Sequence, residues 1–212
     1  DNFGDPSTGA IRGTMMTNVN GPFGHGEQLS FYGLGTEGSR YGRLALSGPL
    51  GERGLRLGVS ASTMSYRVIK DGFDQLEGRG TAQTAGVDVS MPLIRSRPMN
   101  LYVTGNFAQN NFDNNTVVGT TNRYSTQVAQ VGLSGNTVDG FAGGGMNTAS
   151  LTTSFGDVDL AASPIFGADS AGPQVHGQFA KLRYSANRIQ TINEDLSLYA
   201  SITGQVASRN LD

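Results

Sequence analysis

The feature that most constrains this chain is a strict alternation of apolar side chains with small or charged ones. The alternation is clearest at 55–62 and returns at 85–91 and 196–203. Successive side chains of a β-strand point to opposite faces, so each segment would present one apolar face and one polar face. Many such strands, separated by turns rich in Gly, Asn and Asp, are typical of a β-barrel that crosses a membrane, apolar outside and wet inside.

The composition is compatible with such a barrel. Hydrophobic residues make up 37% of the 212 residues, and the mean hydropathy is −0.26. Only alternate residues of a barrel strand face lipid, so a polar average is expected. Charged residues make up 15%, below the ~25% of soluble domains, and no apolar run reaches the ~18 residues of a membrane-spanning helix.

Charge and cysteine content narrow the function classes. The chain has no Cys, which excludes a disulfide framework and a Cys metal site. The net charge is −2 and the isoelectric point is about 5.7. A nucleic-acid-binding protein needs a basic face, so we expect no nucleic-acid partner.

Ten strand candidates follow one another, with no convincing helix between them. Most are long enough to cross a bilayer at a tilt. The predicted fold class is therefore all-β: an antiparallel transmembrane β-barrel meander, as a partial barrel of about ten strands. The candidates are 9–19, 28–34, 41–47, 55–68, 81–93, 100–112, 125–136, 147–155, 178–189 and 196–208.

The predicted connections alternate in length. Outer-membrane barrels place short turns in the periplasm and long loops outside the cell. We therefore expect loops near Asp71 and Asp169 at the cell surface, and the turns at Gly51 and Gly143 in the periplasm. The short turns are 20–26, 48–54, 94–98, 139–145 and 190–195; the longer loops are 69–80, 113–124 and 156–175, and 35–40 is a short exception.

Several segments, taken in order, resemble the translocator of two-partner secretion, the haemolysin-activator or filamentous-haemagglutinin-transporter family. The resemblance implies a sixteen-strand barrel in the outer membrane of a Gram-negative bacterium, with periplasmic POTRA domains before it. It also implies that the protein exports a secreted exoprotein partner. The segments are 1–4 with 8–9, 20–30, 49–51 with 54–58, 92–97 with 100–102, 179–182, 196–201 and 204–212.

By this resemblance, residues 1–212 are part of one outer-membrane β-barrel domain and cover roughly strands two to eleven. The POTRA domains, the C-terminal barrel strands and the loop with the family's Arg-Gly-Tyr motif would be absent. The chain opens on turn-like residues without a signal peptide, which favours an internal fragment. Unpaired edges are then expected near 9–19 and 196–208.

Six charged residues are predicted to lie on the wet face and line a pore. One interpretation is a solvated wall with compensating ion pairs. The other is a mildly cationic track that keeps an unfolded polypeptide moving through weak contacts at many sites. The sequence leaves both open. The six residues are Arg12, Arg43, Arg56, Asp88, Lys181 and Arg183.

The sequence motifs that could indicate cofactor binding, metal binding or catalysis are weak. The G-x-G-x-x-G pattern at 33–38 needs a helix to follow it, but an alternating strand follows, so a turn is expected. A metal site needs three or four converging ligands, and the only histidines are His25 and His176. No nucleophile elbow surrounds any Ser. We expect no enzyme activity, no catalytic residue, no cofactor and no metal.

The predicted function is an outer-membrane translocation pore component that secretes a partner exoprotein and is surrounded by outer-membrane lipid. Three alternatives remain at this point. They are an assembly factor of the related superfamily that inserts other barrels, a secreted β-rich adhesin, and an outer-membrane enzyme. A β-helical adhesin is disfavoured because the sequence has no short fixed repeat.

Overall fold

The computed structural model describes residues 4–70, 77–172 and 174–209. Ten strands form a single antiparallel sheet in which neighbours in the sheet are neighbours in the chain. The predicted antiparallel meander is thus confirmed. The strands are β1 (Gly13–Asn20), β2 (Gln28–Gly35), β3 (Ser39–Pro49), β4 (Arg56–Arg67), β5 (Arg79–Arg95), β6 (Met99–Thr116), β7 (Gly119–Asp139), β8 (Gly145–Asp159), β9 (Gly177–Thr191) and β10 (Ser197–Ala207).

The register brings the apolar residues of successive strands onto one surface, called the apolar face below. Val59 pairs with Val87, and Val87 pairs with Phe107. The same line continues through Ala129 to Phe155. This surface is open to the surroundings, because Phe107 is 48% exposed and Phe155 is 57% exposed.

The sheet has almost no buried core. Among the hydrophobic residues that the structure describes, only Val158 and Leu160 are buried. A soluble domain of this size buries most of its large apolar side chains and rarely exposes a wide apolar patch. The apolar face therefore needs lipid as its solvent.

The opposite surface, called the polar face below, is more sheltered along β5, β7 and β8, whereas in β6 its residues Tyr102 and Thr104 are exposed. Along β7 the apolar-face residues Ala129, Val131 and Leu133 are exposed, whereas the polar-face residues Gln130 and Ser134 are half-buried. This alternation in exposure is the pattern expected of a curved sheet whose polar face lies on the concave side. Exposure along these three strands thus favours the polar face as the inner surface of the sheet.

The prediction of a loop at 113–124 is wrong. Strand β6 runs on to Thr116 and β7 begins at Gly119, so two residues, Val117 and Val118, connect them. The sequence of this region is polar, which favours a loop. It forms instead the far end of a long hairpin.

Cross-strand contacts explain why this polar segment is a hairpin. Arg123 pairs with the Asp113 carboxylate, with an Nη2–Oδ2 distance of 2.6 Å. The rings of Phe112 and Tyr124 stack with their centroids 4.5 Å apart. Pairs of this kind on directly opposed residues stabilise a sheet.

The connection between β8 and β9 also differs from its prediction. Strand β8 extends to Asp159, and residues 160–176 contain a short helix, α1 (Phe166–Ala171), where no helix was expected. Asp169 is buried, although a surface position was expected there. Its carboxylate accepts hydrogen bonds from the backbone N–H groups of Val175 and His176, at 2.9 and 3.1 Å.

Two further expectations concern the chain's first half. Strand β1 begins at Gly13, later than the predicted start at residue 9. Asp71 lies outside the described residues.

No helix within the described ranges is long and apolar enough to cross a membrane.

Candidate functional site: the polar face of the sheet

The register places the predicted pore-lining residues of the strands on the polar face. Arg43 pairs with Ser62 of β4, and Asp88 pairs with Gly58. The same surface holds Arg56, which pairs with Ser90. It also holds Lys181, which pairs with Ser154, and Arg183, which pairs with Thr152. Arg12 precedes the first residue of β1 and is half-buried.

Two lines of paired residues connect the distant charges. One line runs from Arg56 to Arg183 through Ser90, Thr104, Gly132 and Thr152. The adjacent line runs from Asp88 to Lys181 through Asn106, Gln130 and Ser154. The charged residues therefore lie on either side of the central strands. Within the described part of β6, β7 and β8, the polar face carries no charged side chain.

The sequence predicts a turn at 94–98, but Arg95 is a sixth charged strand residue on the polar face. A register shift between Pro92 and Ile94 reverses the alternation of β5, so Arg95 pairs with Asn100. A β-bulge of this kind moves every following side chain to the other face. The Pro in an otherwise alternating strand was the available signal for the bulge.

The polar-face charges of the strands are not compensated by ion pairs. The salt bridges among the described residues are His25–Glu27, Asp113–Arg123 and Asp139–Arg188. None of these involves Arg43, Arg56, Asp88, Lys181 or Arg183. Arg56 makes only a long hydrogen bond, 3.5 Å from Nη2 to Ser47 Oγ.

The polar face is therefore cationic over the described strands. It carries the basic residues Arg43, Arg56, Arg95, Lys181 and Arg183 against the single carboxylate of Asp88, although the whole chain has a net charge of −2.

Between these charges the polar face is a layer of neutral hydrogen-bonding side chains. Thr84 donates to Asn110 at 2.8 Å, and Asn110 donates to Thr126 at 3.0 Å, which links β5, β6 and β7. Gln130 donates to Ser154 at 3.1 Å. Groups already bonded to one another have little capacity left for tight binding of a passing chain.

The 160–176 loop packs against one end of this face. Ser163 Oγ donates to Asn122 Oδ1 at 2.9 Å and accepts from the Arg123 N–H at 3.2 Å. Loop and sheet enclose a groove of about 500 Å³. The loop contributes Leu160, Ile165, Asp169 and Val175, and the polar face contributes Tyr124, Thr126, Val128, Val158, Phe179 and Lys181.

The two histidines and the 33–38 pattern, which were considered for catalysis or ligand binding, make ordinary structural contacts. His176 Nδ1 accepts a hydrogen bond from the Leu160 N–H at 3.2 Å. His25 Nδ1 lies 3.4 Å from Glu27 Oε1 in a turn. The 33–38 pattern forms the end of β2 and the turn into β3, as expected. No group of three or more metal-ligating side chains occurs in the ranges described.

A meander of alternating strands with an exposed apolar face and a sheltered polar face defines the wall of an outer-membrane β-barrel. The sequence profile of the haemolysin secretion/activation protein family ShlB/FhaC/HecB matches residues 1–211, and the chain belongs to this family. The family places it in the outer membrane of a Gram-negative bacterium.

Solved structures show the same fold. The chain is similar to CdiB from Escherichia coli with a TM-score of 0.78 and 21% identity, over 100% of this chain and 40% of that one. It is similar to CdiB from Acinetobacter baumannii with a TM-score of 0.61 and 16% identity, over 93% of this chain and 35% of that one. The chain thus spans less than half the length of these two proteins. No curated protein sequence matches it.

Proposed function

We propose that residues 1–212 are part of one outer-membrane β-barrel domain, that this sheet is part of the barrel wall, and that a secreted partner protein crosses the membrane through the barrel. The observation that carries the proposal is the difference between the two faces. The apolar face suits lipid, and the polar face offers hydroxyl, amide and unpaired cationic groups to an extended polypeptide. Membership of a haemolysin secretion/activation family supports the same function.

Transport along this surface depends on weak contacts. The neutral side chains of β6, β7 and β8 hydrogen-bond to one another, so a passing backbone replaces bonds of similar strength. Arg56 and Arg183 attract acidic segments of the partner from either side of this neutral region. Weak binding at many sites permits both entry and exit, as in other pores. The wall performs no chemistry on the partner.

The orientation follows from the lengths of the connections. The two longest, 68–78 and 160–176, leave the same end of the sheet, and we place that end at the cell surface. The turns at 50–55 and 140–144 then face the periplasm. A cysteine at Ala168, which is exposed on α1, should react with an impermeant reagent on intact cells, whereas one at Gly51 should not. Asp169 is unsuitable for this purpose because it is buried.

Site-specific photo-crosslinking in the native host tests the proposed function. A photoreactive residue at Ser150 or Thr152 faces the proposed path, and one at Val131 or Leu151 faces lipid. During active secretion, the first pair should form adducts with one exported protein that also accumulates in the medium. The second pair is the matched control and should form none.

Other outcomes would contradict the proposal. Adducts with the exported protein from Val131 and Leu151 at equal yield would show that the polar face is not the path. Adducts from Thr152 with unfolded barrel proteins, and none with an exported protein, would indicate an assembly factor.

A further inference from the structure

Three arginines surround one groove on the apolar-face side of the sheet, at the end with the long connections. The groove has a volume of about 460 Å³. It is formed at the end of the sheet where β3 and β5 begin and β4 ends. Arg40, Arg67 and Arg79 all line it. Ser65, Thr81 and Asn115 add neutral hydrogen-bonding groups to the lining.

The register forces these cations together. Arg67 lies directly opposite Arg79 in the β4–β5 pair, and Arg40 lies opposite Ser65, two residues before Arg67. Like charges on directly opposed residues destabilise a sheet. An anion between them would remove this repulsion.

Ion pairs among the described residues do not balance the groove's positive charge. None of the three arginines forms a salt bridge within the described residues. One carboxylate, Glu37, also lines the groove, so three guanidinium groups face a single acid. Among its described lining residues, the groove thus has an excess of positive charge.

The groove adjoins the apolar face. Arg40 is on the same side of β3 as the exposed Leu44, and Arg67 is on the same side of β4 as Val59. A ligand in the groove can therefore extend apolar chains onto the apolar face while its charged group remains among the arginines. In the orientation proposed above, this level of the sheet lies at the headgroups of the outer leaflet, where the lipid is lipopolysaccharide.

We propose that Arg40, Arg67 and Arg79 bind the phosphate groups of lipid A in a lipopolysaccharide molecule of the outer leaflet. Guanidinium groups recognise phosphate through paired N–H donors, and Ser65, Thr81 and Asn115 can donate further hydrogen bonds. The inference rests on the proposed orientation and does not depend on secretion.

Lipid binding by the purified full-length protein in detergent micelles tests the inference. Bisphosphorylated lipid A is titrated and the bound fraction is counted by native mass spectrometry. The R67Q/R79Q variant should bind roughly thirtyfold more weakly, since each basic residue near a lipid surface contributes about a factor of five. The R53Q/R97Q variant removes the same charge from turns at the other end of the sheet and should bind like the wild type.

Two further arms identify the ligand chemistry. Dephosphorylated lipid A should bind the wild-type protein as weakly as bisphosphorylated lipid A binds R67Q/R79Q. The R67K/R79K variant keeps the charge but loses the paired guanidinium donors, so its affinity should lie between those of the wild type and R67Q/R79Q. Inorganic phosphate at millimolar concentration should not displace the lipid.

Three results would overturn the inference. They are unchanged binding in R67Q/R79Q, equal binding of phosphorylated and dephosphorylated lipid A, and displacement by inorganic phosphate, which would indicate a free-anion site. Secretion of the partner is measured separately. Loss of lipid binding with normal secretion supports the inference, and failed secretion with intact lipid binding affects only the proposed function.

Discussion

The Arg188 guanidinium pairs with both oxygens of the Asp139 carboxylate across the intervening strand β8, with N–O distances of 2.7 and 3.0 Å. Asn147 of β8 accepts a further bond from Arg188 at 2.7 Å. Gly145 makes this crossing possible, because a Cβ there would lie 2.6 Å from Nη2 of Arg188. Gln190 extends the cluster by donating to the carbonyls of Phe141, Ala142 and Gly144. The pair thus fixes the 140–144 turn to β9.

Removing the carboxylate should destabilise this end of the sheet. D139A leaves a half-buried guanidinium without its charged partner, and we expect a loss of about 1–3 kcal/mol in the free energy of unfolding. Urea unfolding of the protein in lipid vesicles measures the change. D195A, in the exposed 192–196 turn, is the control and should change stability by less than about 0.5 kcal/mol. Equal effects of the two variants would show that the ion pair contributes nothing.

Adjacent residues of β7 test which face contacts lipid. L133R places a charge on the apolar face, and S134R places the same charge on the polar face. Arginine near the bilayer midplane costs about 2–4 kcal/mol on the lipid-facing side of a barrel, so L133R should fold much less efficiently into vesicles. S134R should fold like the wild type. The reverse order would mean that the polar face contacts lipid.

Most of the fold could be predicted from the sequence because one rule, the alternation of side chains, governs nearly every strand. Leu57, Val59 and Arg56 lie on their expected faces for this reason. The rule fails where the strand itself is irregular. Arg95 changes face at a bulge, and alternation in the surrounding residues does not reveal where the extra residue is inserted.

The remaining errors occur where partners far apart in the chain decide the local structure. The 113–124 region is polar and resembles a loop, but contacts such as the one between Tyr66 OH and Asn114 Oδ1, at 3.1 Å, hold it as a hairpin. The 160–176 loop packs on the polar face through Ser163 and Asn122, a pairing that no local pattern indicates. At both places, tertiary contacts override the local secondary-structure propensity of the sequence.

The buried Asp169 should hold the 160–176 loop closed. Its carboxylate satisfies the N–H groups of Val175 and His176. D169A leaves both without an acceptor, so their amide hydrogen exchange should accelerate by about tenfold or more. Hydrogen exchange with mass spectrometry measures the change in peptides covering the loop. S170A, on the exposed side of α1, is the matched control. Unchanged exchange in D169A would mean that packing on the sheet alone closes the loop.

The unpaired charges of the polar face should set the ion preference of the pore. R56Q/R183Q removes two of its cations, and because neither forms a salt bridge within the described strands, the fold should be unaffected. The chloride-to-potassium permeability ratio of the full-length protein in planar bilayers should fall by about twofold, since charges lining a pore fix the sign of the ions it concentrates. D88N removes the opposing carboxylate and should raise the ratio. R53Q/R97Q changes the same charge in the turns and should leave it near the wild-type value. If R56Q/R183Q and R53Q/R97Q shift the ratio equally, the polar-face residues do not line the conducting path.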